Sequence, residues 1–167
     1  MTGTGYYSGV MATELLRRGH GLTVFAAPPF YPEWKLRKGY RNWRWSREVI
    51  DGVTVYRCPT VIPRRPSGMT RLLHYGSFAF TALLASIWWR LFHRPDIIFN
   101  ITPTLFSAIP ALFLTKISKA KSWLHIQDFE VEAGFATGQM RGAGSVAKLA
   151  LAFEHPMINL FDFTSTI

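Results

Sequence analysis

The segment DIIFNITPTLFSAIPALFLTKISKAKSWLHIQ, residues 96–127, decides the fold of this chain. It predicts a strand over Asp96–Ile101, a helix over Leu105–Ile117 and a second strand over Ser122–Gln127. Both strand segments are short apolar runs, and the stretch between them is long enough for a crossover helix. A strand–helix–strand unit of this kind places its two strands parallel in one sheet.

The same alternation extends through the rest of the 167 residues. We expect helices over Ser8–Arg18, Leu72–Phe92 and Val146–Leu160, and strands over Leu22–Ala27, Val53–Cys58 and Asp162–Ile167, with a long basic and aromatic insertion over Pro28–Glu48. The sequence therefore predicts one α/β domain with a doubly wound parallel sheet. Because no strand precedes the first helix and no helix follows the last strand, we expect a domain truncated at both ends.

The composition is that of a folded and strongly basic protein. Apolar residues make up 49% of the chain, which argues against disorder, and the single cysteine, Cys58, excludes an internal disulfide. The net charge of +9 comes from the first hundred residues, which hold 14 Lys and Arg against five Asp and Glu. Such an excess favours an anionic partner, namely phospholipid, nucleic acid or a phosphorylated substrate.

One apolar stretch approaches the length of a membrane span. It lies between Arg71 and Arg90 and ends in Trp88-Trp89, an aromatic and basic ending typical of a membrane interface. Because the stretch is at the short limit for spanning, the sequence favours a core-facing or surface-embedded helix.

Negative charge is concentrated directly after the second strand of the opening segment. Residues 123–132 read WLHIQDFEVE and carry three of the ten carboxylates together with His125. Carboxylates beside an imidazole are the usual apparatus for moving protons, and ligands of parallel sheets gather at the carboxyl ends of strands. We therefore expect His125, Asp128 and Glu130 at a site. His125 also fits a core histidine, Asp128 fits a helix or turn cap, and the spacing matches no common zinc pattern.

Two further segments are candidate binding elements. Gly3 and Gly5 precede a helix, where glycines let a phosphate approach free backbone N–H groups, although the pattern equally fits a plain turn. Tyr31 belongs to the aromatic, proline-stiffened segment 28–34. That segment suits stacking on a sugar, contact with lipid headgroups or single-stranded nucleic acid, or packing against the domain.

Several of these strings together resemble one known family. Residues 15–20 followed by a short strand, and the segments 27–34, 57–59, 63–68 and 123–130, are similar to glycosyltransferase family 4 enzymes with the GT-B fold. The resemblance covers nearly the whole chain. It implies that residues 1–167 correspond to the N-terminal, acceptor-side Rossmann-like half, without its first strand and without the C-terminal nucleotide-sugar domain.

The resemblance also implies an activity and its partners. These are retaining transfer of a hexosyl group from a nucleotide sugar to a lipid-pyrophosphate-linked saccharide in bacterial exopolysaccharide synthesis, with no metal or other cofactor. The family's location would be peripheral, on the cytoplasmic face of the inner membrane, where the basic half meets anionic lipid. The isolated chain is expected to be inactive.

The resemblance assigns roles to the candidate residues. Asp128 and His125, with Glu130, match the strand end that faces the sugar and are expected to carry the catalytic contacts, while Gly3 and Gly5 match the loop that approaches the donor phosphates. Arg64 and Arg65 suit an acceptor pyrophosphate, because guanidinium binds phosphate in a bidentate manner.

A second hypothesis stays open from the residues alone. The basic and aromatic surface also fits a non-enzymatic module that binds a membrane surface or nucleic acid. For the transferase hypothesis, in contrast, no nucleic-acid partner is expected.

Overall fold

The computed structural model describes residues 4–102, 105–127 and 156–166. Helices and strands alternate along them as the sequence predicts, and the α/β class is confirmed. The elements in chain order are α1 (Thr4–Arg17), β1 (Thr23–Ala26), β2 (Ser46–Ile50), β3 (Val53–Arg57), α2 (Gly68–Arg90), β4 (Ile97–Thr102), a 3-10 turn (Leu105–Ser107), α3 (Ala108–Ser118), β5 (Lys121–Ile126) and β6 (Phe163–Thr166).

The opening segment forms the parallel unit that its pattern predicts. β5 lies between β4 and β6 and pairs parallel with both. Leu124 and Ile126 of β5 point to one face, where they pack with Ala108 and Ala111 of α3 and with Phe161. Leu124 is fully buried, so this apolar layer between α3 and the sheet forms a core of the molecule.

The first sheet departs from the predicted all-parallel arrangement. Its strand order is β1-β3-β2, with β1 parallel to β3 but β2 antiparallel to it. The predicted insertion over Pro28–Glu48 is therefore wrong in its last residues, because β2 begins at Ser46. Asp51 and Gly52 both have positive φ and form the two-residue turn between β2 and β3. An Asp-Gly pair between apolar runs is a hairpin signal, because both central positions of such a turn need positive φ.

Helix α2 ties the two sheets together. It packs against β1 of the first sheet, against α3 and against the 3-10 turn, and the Trp89 ring meets the edge of Phe25 at 6.0 Å. The helix begins at Gly68 rather than Leu72, because Ser67 and Thr70 form a reciprocal capping box that satisfies its first backbone N–H groups. Trp88 is exposed and Trp89 is buried, so the two tryptophans face different surroundings.

Among the described helices, α2 alone is long and apolar enough to cross a membrane, judged by length and composition. Its most apolar window has a mean hydropathy of 1.2, and 28% of that window is buried inside the protein. Of the predicted helix Val146–Leu160, only residues from 156 onward are described, and 156–158 are helical.

A polar clamp holds β6 against β5. The Asp162 carboxylate accepts hydrogen bonds from the Ser122 backbone N–H at 2.9 Å and from the Lys121 ammonium at 2.8 Å. The Ser122 hydroxyl lies 2.8 Å from the same carboxylate. The Lys121 hydrogen bond and then the two Ser122 groups lower the pKa of Asp162 to about 2.

This clamp predicts a defined acid sensitivity. An unfolded Asp titrates near pH ~4, so the contribution of Asp162 to stability is complete above that pH. This contribution is lost as the pH falls through the lower pKa that Asp162 has in the folded chain. Asp162→Asn should lower the free energy of unfolding at neutral pH and make it fall less steeply as the pH is lowered. Urea unfolding at a series of pH values measures both effects. Glu33→Gln, which removes a carboxylate without an ion pair in the described part of the chain, is the control. Identical pH curves for Asp162→Asn and the wild type would contradict the clamp.

Candidate functional site

The carboxyl ends of three strands meet at one edge of the second sheet. Thr102 of β4, Ile126 of β5 and Thr166 of β6 stand side by side in the strand register. The carboxyl end of β5 therefore lies between two neighbouring strand ends, which is where ligands bind in parallel sheets. We call this the carboxyl edge. The first residue after β5, Gln127, donates its backbone N–H to the Thr102 carbonyl across it.

His125 is the candidate catalytic residue that the structure describes. It lies on the face of β5 opposite Leu124 and Ile126 and is half-buried. Its Nδ1 atom lies 2.9 Å from the Ser165 hydroxyl, which also accepts a hydrogen bond from Trp123 Nε1 at 2.9 Å. The Phe99 ring lies 5.8 Å from the imidazole. The ring is partly buried and lies on the face of β5 away from the α3 core, and both interpretations of His125, as a site residue and as a core histidine, stay predictions.

This geometry leaves His125 able to act on a ligand. Ser165 holds one ring nitrogen, and within residues 4–102, 105–127 and 156–166 no hydrogen-bond partner is found for the other, Nε2. An imidazole fixed through Nδ1 presents Nε2 in a defined direction, as donor or acceptor according to its tautomer. The chemistry available is hydrogen bonding or proton transfer at a substrate hydroxyl.

Two buried amides near the carboxyl edge were not singled out from the sequence. Gln127 is 9% exposed and Asn100 is 7% exposed. Among the described residues, neither the Gln127 Oε1 and Nε2 atoms nor Asn100 Nδ2 has a hydrogen-bond partner. A buried amide without a partner costs stability, so such groups often serve a ligand. The sequence signal was weak, because one amide in an apolar strand is also common in ordinary cores.

The ends of β1 and β4 are joined by a chain of aromatic contacts. Phe30, which follows β1, packs against the His74 ring at 4.6 Å. On the next residue of α2, the Tyr75 ring lies 6.3 Å from Phe106 of the 3-10 turn that follows β4. Tyr31 stands beside Phe30 and is 60% exposed, with its ring available for contact with a ligand.

The other predicted binding residues lie at separate places. Arg64 and Arg65 are exposed on the loop between β3 and α2, and no hydrogen bond or ion pair joins either of them to His125. The prediction that Gly5 lies in a turn before the first helix is wrong. Gly5 is a helical residue near the start of α1. Helix formation continues through it because no proline or capping residue stops the helix before Gly19. A Cβ added at Gly5 would meet nothing within 4 Å, so the space beside it is open.

Three predicted site residues, Asp128, Glu130 and Gly3, lie outside the described residues. In the part of the chain that is described, no group of three His, Cys, Asp or Glu side chains could hold a metal ion. Since the acidic segment is outside it, a metal-free site stays a prediction. The Cys58 thiol is buried, and burial raises its pKa to about 12, which excludes it as a thiolate nucleophile at neutral pH.

A parallel α/β domain with polar side chains at the carboxyl edge is typical of enzymes that handle nucleotides and sugars. A family model described as "Glycosyl transferase 4-like domain" matches residues 2–167, and the chain belongs to this family. The resemblance found in the sequence is thereby confirmed.

The chain is also similar to a curated protein of Escherichia coli (strain K12), "Putative colanic acid biosynthesis glycosyl transferase WcaI". The two are 43% identical over 172 residues, which cover 100% of this chain and 41% of the relative. The chain thus spans less than half the length of that protein. No solved structure matches the chain.

Ser165 is predicted to position His125. Ser165→Ala removes the hydroxyl that bonds both His125 and Trp123, so it should destabilise the chain by about 1–2 kcal/mol. It should also change the tautomer balance of the imidazole, measured from the ¹⁵N NMR shifts of its two ring nitrogens. Thr164→Ala, at the neighbouring exposed position of β6, is the control. Unchanged ring shifts in Ser165→Ala would show that the hydroxyl does not hold the ring.

Proposed function

We propose that this chain is the acceptor-side domain of a glycosyltransferase. The reaction is retaining transfer of a hexosyl group from a nucleotide-diphosphate sugar to a lipid-pyrophosphate-linked saccharide, in the synthesis of a bacterial exopolysaccharide such as colanic acid. The observation that carries the proposal is the match over nearly the whole chain to the glycosyl transferase 4-like family. The fixed imidazole of His125 at the carboxyl edge supports it locally.

The proposed site combines a described histidine with the acidic segment after it. His125 offers Nε2 to a sugar hydroxyl, and Asp128 provides a carboxylate that accepts a hydroxyl proton or stabilises positive charge on the reacting sugar carbon. Glu130 is a further carboxylate of this segment. The buried amide of Gln127, between His125 and Asp128 in the chain, is suited to bind a sugar hydroxyl that satisfies its unpaired atoms.

The remaining residues are assigned to binding. Gly5 in the first turn of α1, with Gly3 before it, leaves room for the donor phosphates near backbone N–H groups that have no partner within the helix. Arg64 and Arg65 are exposed and suited to bind the acceptor pyrophosphate, and Tyr31 is exposed and suited to stack on a sugar. No metal is required by this scheme.

In enzymes of this fold a second Rossmann-like half holds most of the nucleotide. We therefore propose that the chain needs such a half for transfer and is inactive without it. The proposed location is the cytoplasmic face of the inner membrane, because the lipid-linked acceptor lies there and the first hundred residues are strongly basic.

A chimera tests the function. The chain replaces the region of the Escherichia coli relative to which it is similar, and transfer from nucleotide sugars to a lipid-linked acceptor is measured. Asp128→Asn in the chimera should lower kcat by about 10²–10⁴-fold, because the substitution removes the charge and leaves the shape of the side chain. The isolated chain should show no transfer.

Glu14→Gln is the matched control, because Glu14 is an exposed carboxylate on α1 that bonds Arg17 and Arg18. It should leave transfer unchanged. If the chimera is active and Asp128→Asn is as active as Glu14→Gln, the catalytic role of Asp128 is refuted. A folded chimera that transfers no sugar would refute the proposed function.

A further inference from the structure

Helix α2 has two opposite faces that are both apolar. One face is buried and carries Ala79, Ala82 and Trp89. The other face is exposed to solvent and carries six large apolar side chains at helical spacing. These residues, which we call the α2 ridge, are Met69, Leu73, Phe80, Leu84, Trp88 and Leu91.

The α2 ridge is unusual for a surface in water. Phe80 is 62% exposed, Trp88 is 57% exposed and Leu91 is 72% exposed. A helix of 23 residues is about 34 Å long, and the ridge runs along its whole length. Scattered apolar residues are normal on a protein surface, but a row of large ones along one side of a helix marks an interaction site.

Trp45 borders the α2 ridge, and an exposed tryptophan–arginine pair lies just before it in the chain. The Trp45 ring nitrogen donates a hydrogen bond to the Thr81 carbonyl at 3.3 Å, next to Phe80 on the helix. Trp43 is 68% exposed, and the Arg41 guanidinium lies 5.5 Å from the centre of its ring. Tryptophan and arginine beside an apolar surface are the side chains that occupy the boundary between lipid headgroups and acyl chains.

The charge around the helix identifies the partner as anionic. Residues 52–95 contain six arginines and neither Asp nor Glu. Arg64 and Arg65 are exposed just before the start of α2, and Arg94 is exposed just after its end. A second copy of the chain, docked ridge to ridge, would bring these arginines together. An anionic bilayer satisfies both the apolar ridge and its basic ends.

The buried face of α2 fixes how the helix would meet a bilayer. A polar residue of this face is bonded to another part of the protein: the His74 Nδ1 atom lies 2.7 Å from the Val61 carbonyl and 3.2 Å from the Thr60 hydroxyl. The helix also packs against β1 and α3. Spanning would break these contacts, whereas lying in the plane of the interface keeps them.

We propose that the α2 ridge inserts, parallel to the membrane plane, into the interface of a bilayer of anionic phospholipid, with the flanking arginines on lipid phosphates. This inference rests on the membrane location proposed above and specifies the surface that makes the contact. It assigns no step in sugar transfer to α2.

Vesicle binding of the purified chain tests the proposal. The vesicles are phosphatidylcholine alone, or phosphatidylcholine mixed with phosphatidylglycerol, and binding is measured by flotation. The variant Phe80→Gln/Leu84→Gln/Trp88→Gln keeps good helix formers at exposed positions. It should lower the affinity for phosphatidylglycerol vesicles by about tenfold or more, because three inserted side chains are lost.

A matched triple variant controls for the loss of exposed apolar residues in general. Val10→Gln/Val49→Gln/Leu160→Gln alters three exposed positions on α1, on β2 and before β6, outside the α2 ridge. It should bind as the wild type does. Circular dichroism and urea unfolding show that both variants are folded.

Several outcomes would overturn the proposal. They are equal binding of the ridge variant and the wild type, equal binding of the wild type to neutral and anionic vesicles, and no vesicle binding at all. A wild-type dimer that the ridge variant dissociates would assign the ridge to a second copy instead. Displacement of the vesicles by single-stranded DNA at equal concentration would assign the surface to nucleic acid.

Failure of this inference is distinguishable from failure of the proposed function. In the chimera, transfer is also measured with the acceptor dissolved in detergent, where no bilayer is needed. The ridge variant should keep that activity while it loses vesicle binding. Loss of both in a folded protein would place the ridge in the transfer site and contradict the inference.

Discussion

The parallel pairing of β5 with β4 and β6 is the constraint on which the rest of the structure depends. Leu124 and Ile126 are held in the core against α3, so Trp123 and His125 must lie on the opposite face. A shift of one residue in the register would exchange the two faces and bury the histidine in an apolar layer. The core therefore fixes where the imidazole stands, and Ser165 of the neighbouring strand fixes how it is turned.

Helix α2 serves the same architecture from the other side. Its buried face joins the first sheet to α3, and its residues His74 and Tyr75 link the loop after β1 to the turn after β4. Most of a core helix is normally covered, yet this one leaves its ridge in solvent. Helix α2 therefore contacts the segments that follow β1 and β4 and also carries a surface suited to lipid. Because both features belong to one helix, the distance between the strand ends and the α2 ridge is fixed.

Much of the fold was predictable because local patterns and tertiary contacts agree. The apolar runs of β4 and β5 and the helix between them each place part of their apolar side chains in the core, as their composition predicts. The antiparallel strand β2, residues SREVI, was missed because its first three positions are polar or charged and continue a basic stretch, although Asp51-Gly52 marked the hairpin. The start of α1 was misplaced because glycine usually signals a turn, while its cost within a helix is only about 1 kcal/mol.

The candidate site was predictable in composition and less so in geometry. The clustering of carboxylates after β5 and the position of His125 at a strand end were visible in the sequence. The role of Ser165 was not, because it lies 40 residues away and meets His125 only through strand pairing. The same holds for the unpaired amide of Gln127, since burial is a property of the folded chain.

The central claim is that the segment leaving the carboxyl edge of β5 contacts the sugar acceptor. Photolabelling tests it most directly, with a lipid-pyrophosphate-linked saccharide that carries a photoreactive group on its sugar, followed by trypsin and mass spectrometry. The account predicts label in peptide 122–141, which extends from Lys121 to Arg141 without an internal Lys or Arg, and loss of that label when unmodified acceptor competes. Competed label confined to any other peptide would contradict the account.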